Sequence, residues 1–147
     1  MKQQETVCYN IKSAWHAISR LYNEQASKHG SSASVGFILL NIDKHEGTPS
    51  THIGPSLGLE PTSLSRILKS MEENGLIEKR PDENDKRISR IFLTDKGKVL
   101  RKQAKEVVLE FNNAIRAQIP DSKLIQFFEV ISEIKGILEQ KNNSLTI

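Results

Sequence analysis

Cysteine is nearly absent: Cys8 is the single one in 147 residues. An internal disulfide is therefore excluded, and so is a zinc site built on cysteine pairs. His16, His29, His45 and His52 lack the i, i+4 spacing of a helical metal site, so neither metal nor cofactor is expected. Aromatic residues are only 5% of the chain, which leaves a core of Ile, Leu and Val. No apolar run is long enough to span a bilayer, and the start, MKQQETVCYN, lacks the apolar segment of a signal peptide. The expectation is a cytoplasmic protein with no membrane partner. Neither a Gly-rich phosphate loop nor a Ser-His-Asp set can be assembled, so an enzyme is not expected. What is there, 37% hydrophobic and 27% charged, is an ordinary folded composition for one domain.

The net charge of +3 is unevenly placed. Residues 61–102 hold eleven Lys or Arg against seven Asp or Glu, whereas the rest of the chain holds ten against eleven. The whole positive excess sits in one stretch, which favours a polyanion partner there. A solvated charged face is the alternative that charge alone leaves open.

Apolar periodicity predicts a mainly α chain with a small β-hairpin. Residues 6–28 carry Val7, Ile11, Ala14, Trp15, Ile18, Leu21 and Tyr22 at helical steps, with Gly30 able to end the helix in the left-handed region. This stripe is wide enough to serve both a core and a second subunit. Residues 34–46 predict a second helix with Ser34 as N-cap, ended by Gly47. Residues 50–58 predict a short helix that Pro55 makes irregular. The next helix starts at Pro61, suited to the first helical position, and Asn74-Gly75 stops it. Alternation over 76–80 and 88–93 predicts two strands around the polar turn 81–87. Thr94 is the expected N-cap of a helix over 96–118. A last helix follows Pro120-Asp121 and covers 121–140, with a frayed end over 141–144.

Two short helices joined by a tight turn, followed by a basic hairpin, form a winged helix-turn-helix pattern. The outer face of the second helix carries Thr62, Ser63, Ser65, Arg66 and Lys69. Thr62 and Ser63 sit where free backbone N–H groups favour anions. Arg66 has the forked donors that suit guanine in the major groove, and Lys69 suits a phosphate or a base. In the wing, Lys86 or Arg87 can lie across the minor groove, with Arg90 near the flanking phosphates. Asp85 is placed to orient Arg87 by a charge-assisted bond. Double-stranded DNA is the partner these residues predict. A solvated amphipathic helix and hairpin is the bland reading of the same spacing.

The order of elements, together with Asp85-Lys86-Arg87 and Leu93-Thr94-Asp95-Lys96-Gly97, resembles the MarR family of bacterial transcriptional regulators, which shows Asp-x-Arg, a short strand and Leu-Thr-x-x-Gly at this spacing. The stretch Leu64 to Ile77 looks like that family's recognition helix and its exit into the wing. The resemblance spans nearly the whole chain. It implies a single subunit over 1–147: a DNA-binding lobe over 34–94, and a dimerisation lobe from the long helices of 1–30 and 95–147. It further implies a homodimer on an inverted-repeat operator, usually as a repressor, with Arg87 at the wing tip. Pro55 departs from the commoner pattern and bears on local shape.

The resemblance also implies a small anionic or phenolic effector bound between dimer helices and winged-helix lobe. That pocket has no portable motif. Trp15, His16, Ser19, Phe37 and Leu40 are the candidates this chain offers, although aromatic and apolar residues at such positions are more often core. One branch of the family senses hydroperoxides through a first-helix cysteine. Cys8 shares that helix, but residues 34–46 lack the tyrosines that surround such a thiol. A winged helix used for protein contact, without DNA, is the other alternative.

Overall fold

The computed structural model describes residues 1–142. The elements are α1 (Val7–Ser27), α2 (Ala33–Leu40), β1 (Thr48–Pro49), α3 (Ser50–Leu57), α4 (Pro61–Glu73), β2 (Ile77–Pro81), β3 (Ser89–Leu93), α5 (Asp95–Gln118) and α6 (Asp121–Asn142), preceded by one 3₁₀ turn over Gln3–Glu5. The helical content, the hairpin and the order of elements are those the sequence predicts. Two compact units divide the chain at Val107/Val108.

In the first unit the core is made by Ile38, Leu39, Ile42, Ile53, Leu64, Leu68, Met71, Leu76, Ile77 and Ile91. These lie on α2 and just beyond it at Ile42, on α3, on α4 and its exit at Leu76, and on the sheet, so the hydrophobic centre is that of the helix-turn-helix and its wing. Fully burying each such side chain contributes about 1.5–3 kcal/mol. The α3–α4 pair is tight: a Cβ on buried Gly54 would stand 3.0 Å from Leu64 Cδ2. Pro55 lies inside α3 and leaves one backbone carbonyl without its helical donor. The helix tolerates it by being eight residues long and ending at Gly58 in the left-handed region, φ 63°.

Three boundaries differ from the sequence reading. The second helix ends at Leu40 rather than 46. Asn41 caps it, donating from Nδ2 to Phe37 O at 2.9 Å. Asp43 Oδ1 then accepts from His45 N and Glu46 N, both at 2.8 Å, which gives the backbone a turn in place of the helix. Its N-cap is Ser32, whose hydroxyl accepts from Val35 N at 3.3 Å, and not Ser34. Finally, Thr48-Pro49, read as a connection, is a strand that joins the hairpin in a three-stranded antiparallel sheet of order β1-β3-β2. Its two pairs are Thr48 with Ile91 and Pro49 with Arg90. A two-residue strand is below what alternation can reveal. Of the frayed end expected over 141–144, residues 141 and 142 continue α6, and 143 and 144 lie outside the described residues.

The start of α5 clamps the exit from α4. Thr94 Oγ1 accepts from Gly97 N at 3.0 Å, as an N-cap does, and donates to Gly75 O at 2.6 Å. Thr94 N donates to Leu76 O at 3.2 Å. Gly97 is buried, and a Cβ there would collide with the carbonyl of Leu76. In the second unit, the end of α5 and α6 meet at a turn bridged by Arg116 Nη1 and Asp121 Oδ1 at 2.7 Å. The helix α6 leaves Ile125, Phe127, Phe128, Val130, Ile137 and Leu138 more than half exposed.

The Gly97→Ala chain should be less stable by about 1–3 kcal/mol, because either α5 or the Leu76 carbonyl must shift. A thermal melt in which Gly97→Ala matches the parent would show that this close approach is not needed.

Candidate nucleic-acid interface

The helix α4 buries Leu64, Leu68 and Met71 on one side. Residues one to two positions away must therefore face outward. Thr62, Ser63, Ser65, Arg66 and Lys69 are all exposed. Arg66 holds no ion pair among the described residues, and Lys69 has a loose one with Glu73 at 4.0 Å. Both cations are available to a ligand. The far end of α4 is tied to the sheet by Glu72 and Lys79, 3.2 Å apart. The small polar residues occupy the N-terminal turns, where a helix can approach a polyanion most closely.

The wing is built on one carboxylate that the sequence reading passed over. Asp82 is buried and accepts from Asn84 N and Asp85 N through Oδ1, at 2.9 and 3.1 Å. Its Oδ2 takes Arg90 Nε at 2.8 Å. Arg90 Nη1 donates to Glu46 O at 2.9 Å and to Gly47 O at 3.3 Å, so one guanidinium joins the wing loop, β3 and the approach to β1. Arg90, expected near the flanking phosphates, also braces the lobe. Its Nε and Nη1 are engaged inside the lobe, and its side chain is 23% exposed. An Asx turn at Asp82, directly after Pro81 and before Asn84-Asp85, was the signal available in the sequence.

At the tip, Asp85 holds Arg87 at two points: Nε to Oδ1 at 3.0 Å and Nη2 to Oδ2 at 2.9 Å. The Arg87 side chain is 91% exposed, so the pair fixes direction and adds little to stability. Lys86 beside it is exposed and free of ion pairs among the described residues. The structure therefore brings two sets of outward cations together on one lobe: Arg66 and Lys69 on the helix, Lys86 and Arg87 on the wing.

The residues proposed for an effector do not converge. Phe37 packs against Trp15 with ring centroids 5.9 Å apart and edge-on against Tyr22 at 5.4 Å. His16 and Ser19 instead line a shallow surface recess of about 470 Å³ with Arg20 and Asn23. The reason is helical geometry: residue 16 is turned about 100° from residue 15, so the two cannot share a face. Leu40 is half-buried at the end of α2. Burial raises the Tyr22 hydroxyl above its ordinary pKa. Cys8 is exposed on α1, with Sγ 3.6 Å from Thr6 Oγ1. Among the described residues no group of three or more His, Cys, Asp or Glu could hold a metal ion, and no helix is long and apolar enough to cross a membrane.

This arrangement of lobe and wing matches known proteins. The MarR family model matches residues 32–89, from the start of α2 through the wing loop. The transcriptional regulator TtmR of Methylorubrum extorquens is 33% identical over 95 residues, covering 65% of this chain and 49% of that protein, so the chain spans about half the length of this relative. The organic hydroperoxide resistance transcriptional regulator of Bacillus subtilis is 27% identical over 107 residues, 73% of each chain. In three dimensions the chain is similar to MepR of S. aureus, solved as a DNA complex, with a TM-score of 0.81, 18% identity, and coverage of 89% of this chain and 97% of that one. Over residues 32–89 the chain is thus similar to the MarR family of transcriptional regulators. That family consists of regulators, not enzymes.

The charge network makes the wing sensitive to acid. The hydrogen bond from Arg90, then those from the Asn84 and Asp85 amides, hold the Asp82 carboxyl below its ordinary range. The side chain and amide of Arg87 do the same for Asp85. Carboxyls lowered in this way add stability that is present above their ordinary pKa and is lost as pH falls through the lowered one. The protection factors of the Asn84, Asp85 and Ile88 amides, which measure exchange against the slower intrinsic rate in acid, should therefore fall on acidification below about pH 4. In Asp82→Asn the same amides should exchange fast already at neutral pH. Unaltered exchange in that variant would mean that Asp82 does not template the wing.

Proposed function

We propose that the chain is a DNA-binding transcriptional regulator that acts as a homodimer on a palindromic operator, as a repressor released by a small-molecule effector. The observation that carries this reading is the paired set of outward cations on α4 and the wing, each held by a scaffold that keeps it off the core. In this reading Arg66 reads a base edge in the major groove, and Thr62, Ser63, Ser65 and Lys69 set the helix on the backbone. Arg87, aimed by Asp85, enters the minor groove with Lys86 beside it. The DNA complex of MepR supports this use of the fold.

The dimer reading rests on exposed apolar surface. On α1, Val7, Ile11 and Trp15 are exposed, and α6 exposes Phe127, Phe128 and Leu138 by more than half each. Exposed large side chains at this density mark an interface. A lobe over 34–94 for DNA and helices from 1–30 and 95–147 for pairing would then divide the work. On DNA the two recognition helices stand roughly 34–36 Å apart, one helical turn. An effector acts by favouring a form in which that spacing is wrong.

A hydroperoxide-sensing role like that named for the Bacillus subtilis relative is not adopted. Cys8 lies beside a threonine hydroxyl, and residues 34–46 supply no tyrosine to surround its thiol. A peroxide-dependent loss of operator binding, absent in Cys8→Ser, would reverse that judgement.

Genomic fragments selected by the purified chain should share an inverted repeat. With about six to ten phosphate contacts per dimer, affinity should fall roughly 10³–10⁵-fold between about 50 and 200 mM salt. Flat salt dependence would point instead to a winged helix used for protein contact. Arg66→Ala should cost about 1–3 kcal/mol at one base position of each half-site and relax the preference there, whereas Arg87→Ala should weaken binding with less change in sequence preference. Sedimentation at micromolar concentration should show a dimer, and a monomer would count against the scheme.

A further inference from the structure

Asn74 and Gly75 form the single Asn-Gly step of the chain, and they sit where α4 hands over to β2. At such a step the asparagine side chain closes most readily on the next main-chain nitrogen, because glycine puts no side chain in the way. Both residues are exposed, and a Cβ on Gly75 would meet nothing. The step is nonetheless held closed. Asn74 has ψ at 5°, which sets the Gly75 nitrogen beside the Asn74 nitrogen and away from Cγ. The peptide unit that would have to turn is tied at both ends. Gly75 N donates to Glu72 O at 2.9 Å, and Lys96 Nζ donates to Asn74 O at 2.9 Å. The next unit is tied as well, with Thr94 Oγ1 donating to Gly75 O at 2.6 Å and Leu76 N to Met71 O at 2.9 Å. The Asn74 side chain is also engaged, its Nδ2 donating to Ser70 O at 2.7 Å.

We propose that Asn74 is a deamidation and isomerisation site kept latent by the start of α5, with Lys96 as the positioning residue that holds it shut. When this hold opens, the main chain can turn at Asn74 and bring the Gly75 nitrogen to Cγ. Gly75 N gives its proton to hydroxide and forms a bond to Cγ. The Cγ–Nδ2 bond breaks, and Nδ2 leaves as ammonia. Water then opens the five-membered imide at either carbonyl. One product is an aspartate. The other is an isoaspartate, whose main chain runs through Cβ and Cγ. In sum one water is consumed and one ammonia released. Both products place a carboxylate at the C-terminal end of α4, the partially negative end of a helix. The isoaspartate also lengthens the main chain by one atom between α4 and β2, next to the point where the bare Gly97 lets Leu76 approach. Each conversion therefore loosens the joint between α4 and α5, and the converted fraction records how often that joint has opened. The site stands apart from the DNA reading, since its chemistry is the same whatever α4 binds.

The test is timed incubation of the full chain at mildly alkaline pH, folded and in concentrated guanidinium chloride. Aged samples are digested, and the peptide holding Asn74 is weighed and assayed with a protein-isoaspartate methyltransferase. Unfolded, the parent should convert at Asn74 ahead of its other asparagines. Folded, it should convert far more slowly. Lys96→Met should convert roughly threefold faster than the folded parent or more, as the loss of one hydrogen bond allows, and Lys96→Arg should stay near the parent rate. Lys96 is exposed, so the variant should fold, and thermal melts check this. Lys96→Ala is a second variant held to the same result. In the parent itself the Gly75 amide should be protected from exchange. Another asparagine converting first in the unfolded chain would overturn the site. Equal rates folded and unfolded, or a Gly75 amide that exchanges as in an unfolded chain, would overturn the latency. Folded Lys96→Met and Lys96→Ala chains that convert at the parent rate would overturn the role of Lys96.

Discussion

The guanidinium of Arg90 is the constraint on which the wing and its join to the helix-turn-helix depend. It sits on β3, takes the buried carboxylate of Asp82, and donates to the carbonyls of Glu46 and Gly47. Three stretches distant in sequence are fixed by one planar group with fixed donor directions. A lysine could neutralise Asp82, but it could not reach both the carboxylate and two carbonyls in one plane. Asp82 in turn gathers the amides of Asn84 and Asp85, and Asp85 aims Arg87. The direction of the most exposed cation on the wing is thus set by a half-buried cation that never leaves the lobe.

Much of this was legible in the sequence because it is written in short-range rules. Pro61 at the first turn, Asn74-Gly75 at the stop, Thr94 as a cap and the alternation of the two wing strands all act within a few residues. The pairing of Asp85 with Arg87 is likewise local, two residues apart. The rest depends on contacts that no local pattern carries. The strand Thr48-Pro49 exists because β3 pairs with it across some forty residues. The brace formed by Arg90 reaches carbonyls as distant in the chain, a structural role that its charge and position in the sequence did not reveal. The early end of α2 shows local signals in competition. The apolar run continues to Ile42, yet Asp43 and Thr48 offer the backbone a turn, and Thr48 Oγ1 accepts from Asp43 N at 2.9 Å.

The candidate effector residues were less legible for a geometric reason. The expected crevice has no portable motif, so its candidates shared no fixed spacing, whereas a helix separates neighbours and gathers residues three or four apart. Trp15 and Tyr22, seven residues apart, therefore meet the same ring of Phe37, and His16 is turned elsewhere. A recess lined by Ser31 and Lys96 brings the α1–α2 loop to the beginning of α5, a juxtaposition across sixty-five residues that only the fold creates.

The first turns of α5 hold the lobe by its carbonyls. Thr94 takes Gly75, Lys96 takes Asn74, the bare Gly97 lets Leu76 approach, and Arg101 reaches Leu39 and Leu40 at 3.1 and 3.4 Å. These carbonyls belong to the ends of α4 and α2, where a helix leaves acceptors unsatisfied. The start of α5 thus completes two helices at once, and neither can shift against it without exposing a carbonyl that has lost its donor. Such a joint has few intermediate positions, because a hydrogen bond weakens steeply with angle. A movement of the start of α5 would reach the end of α4 as a change of state, not as a graded drift.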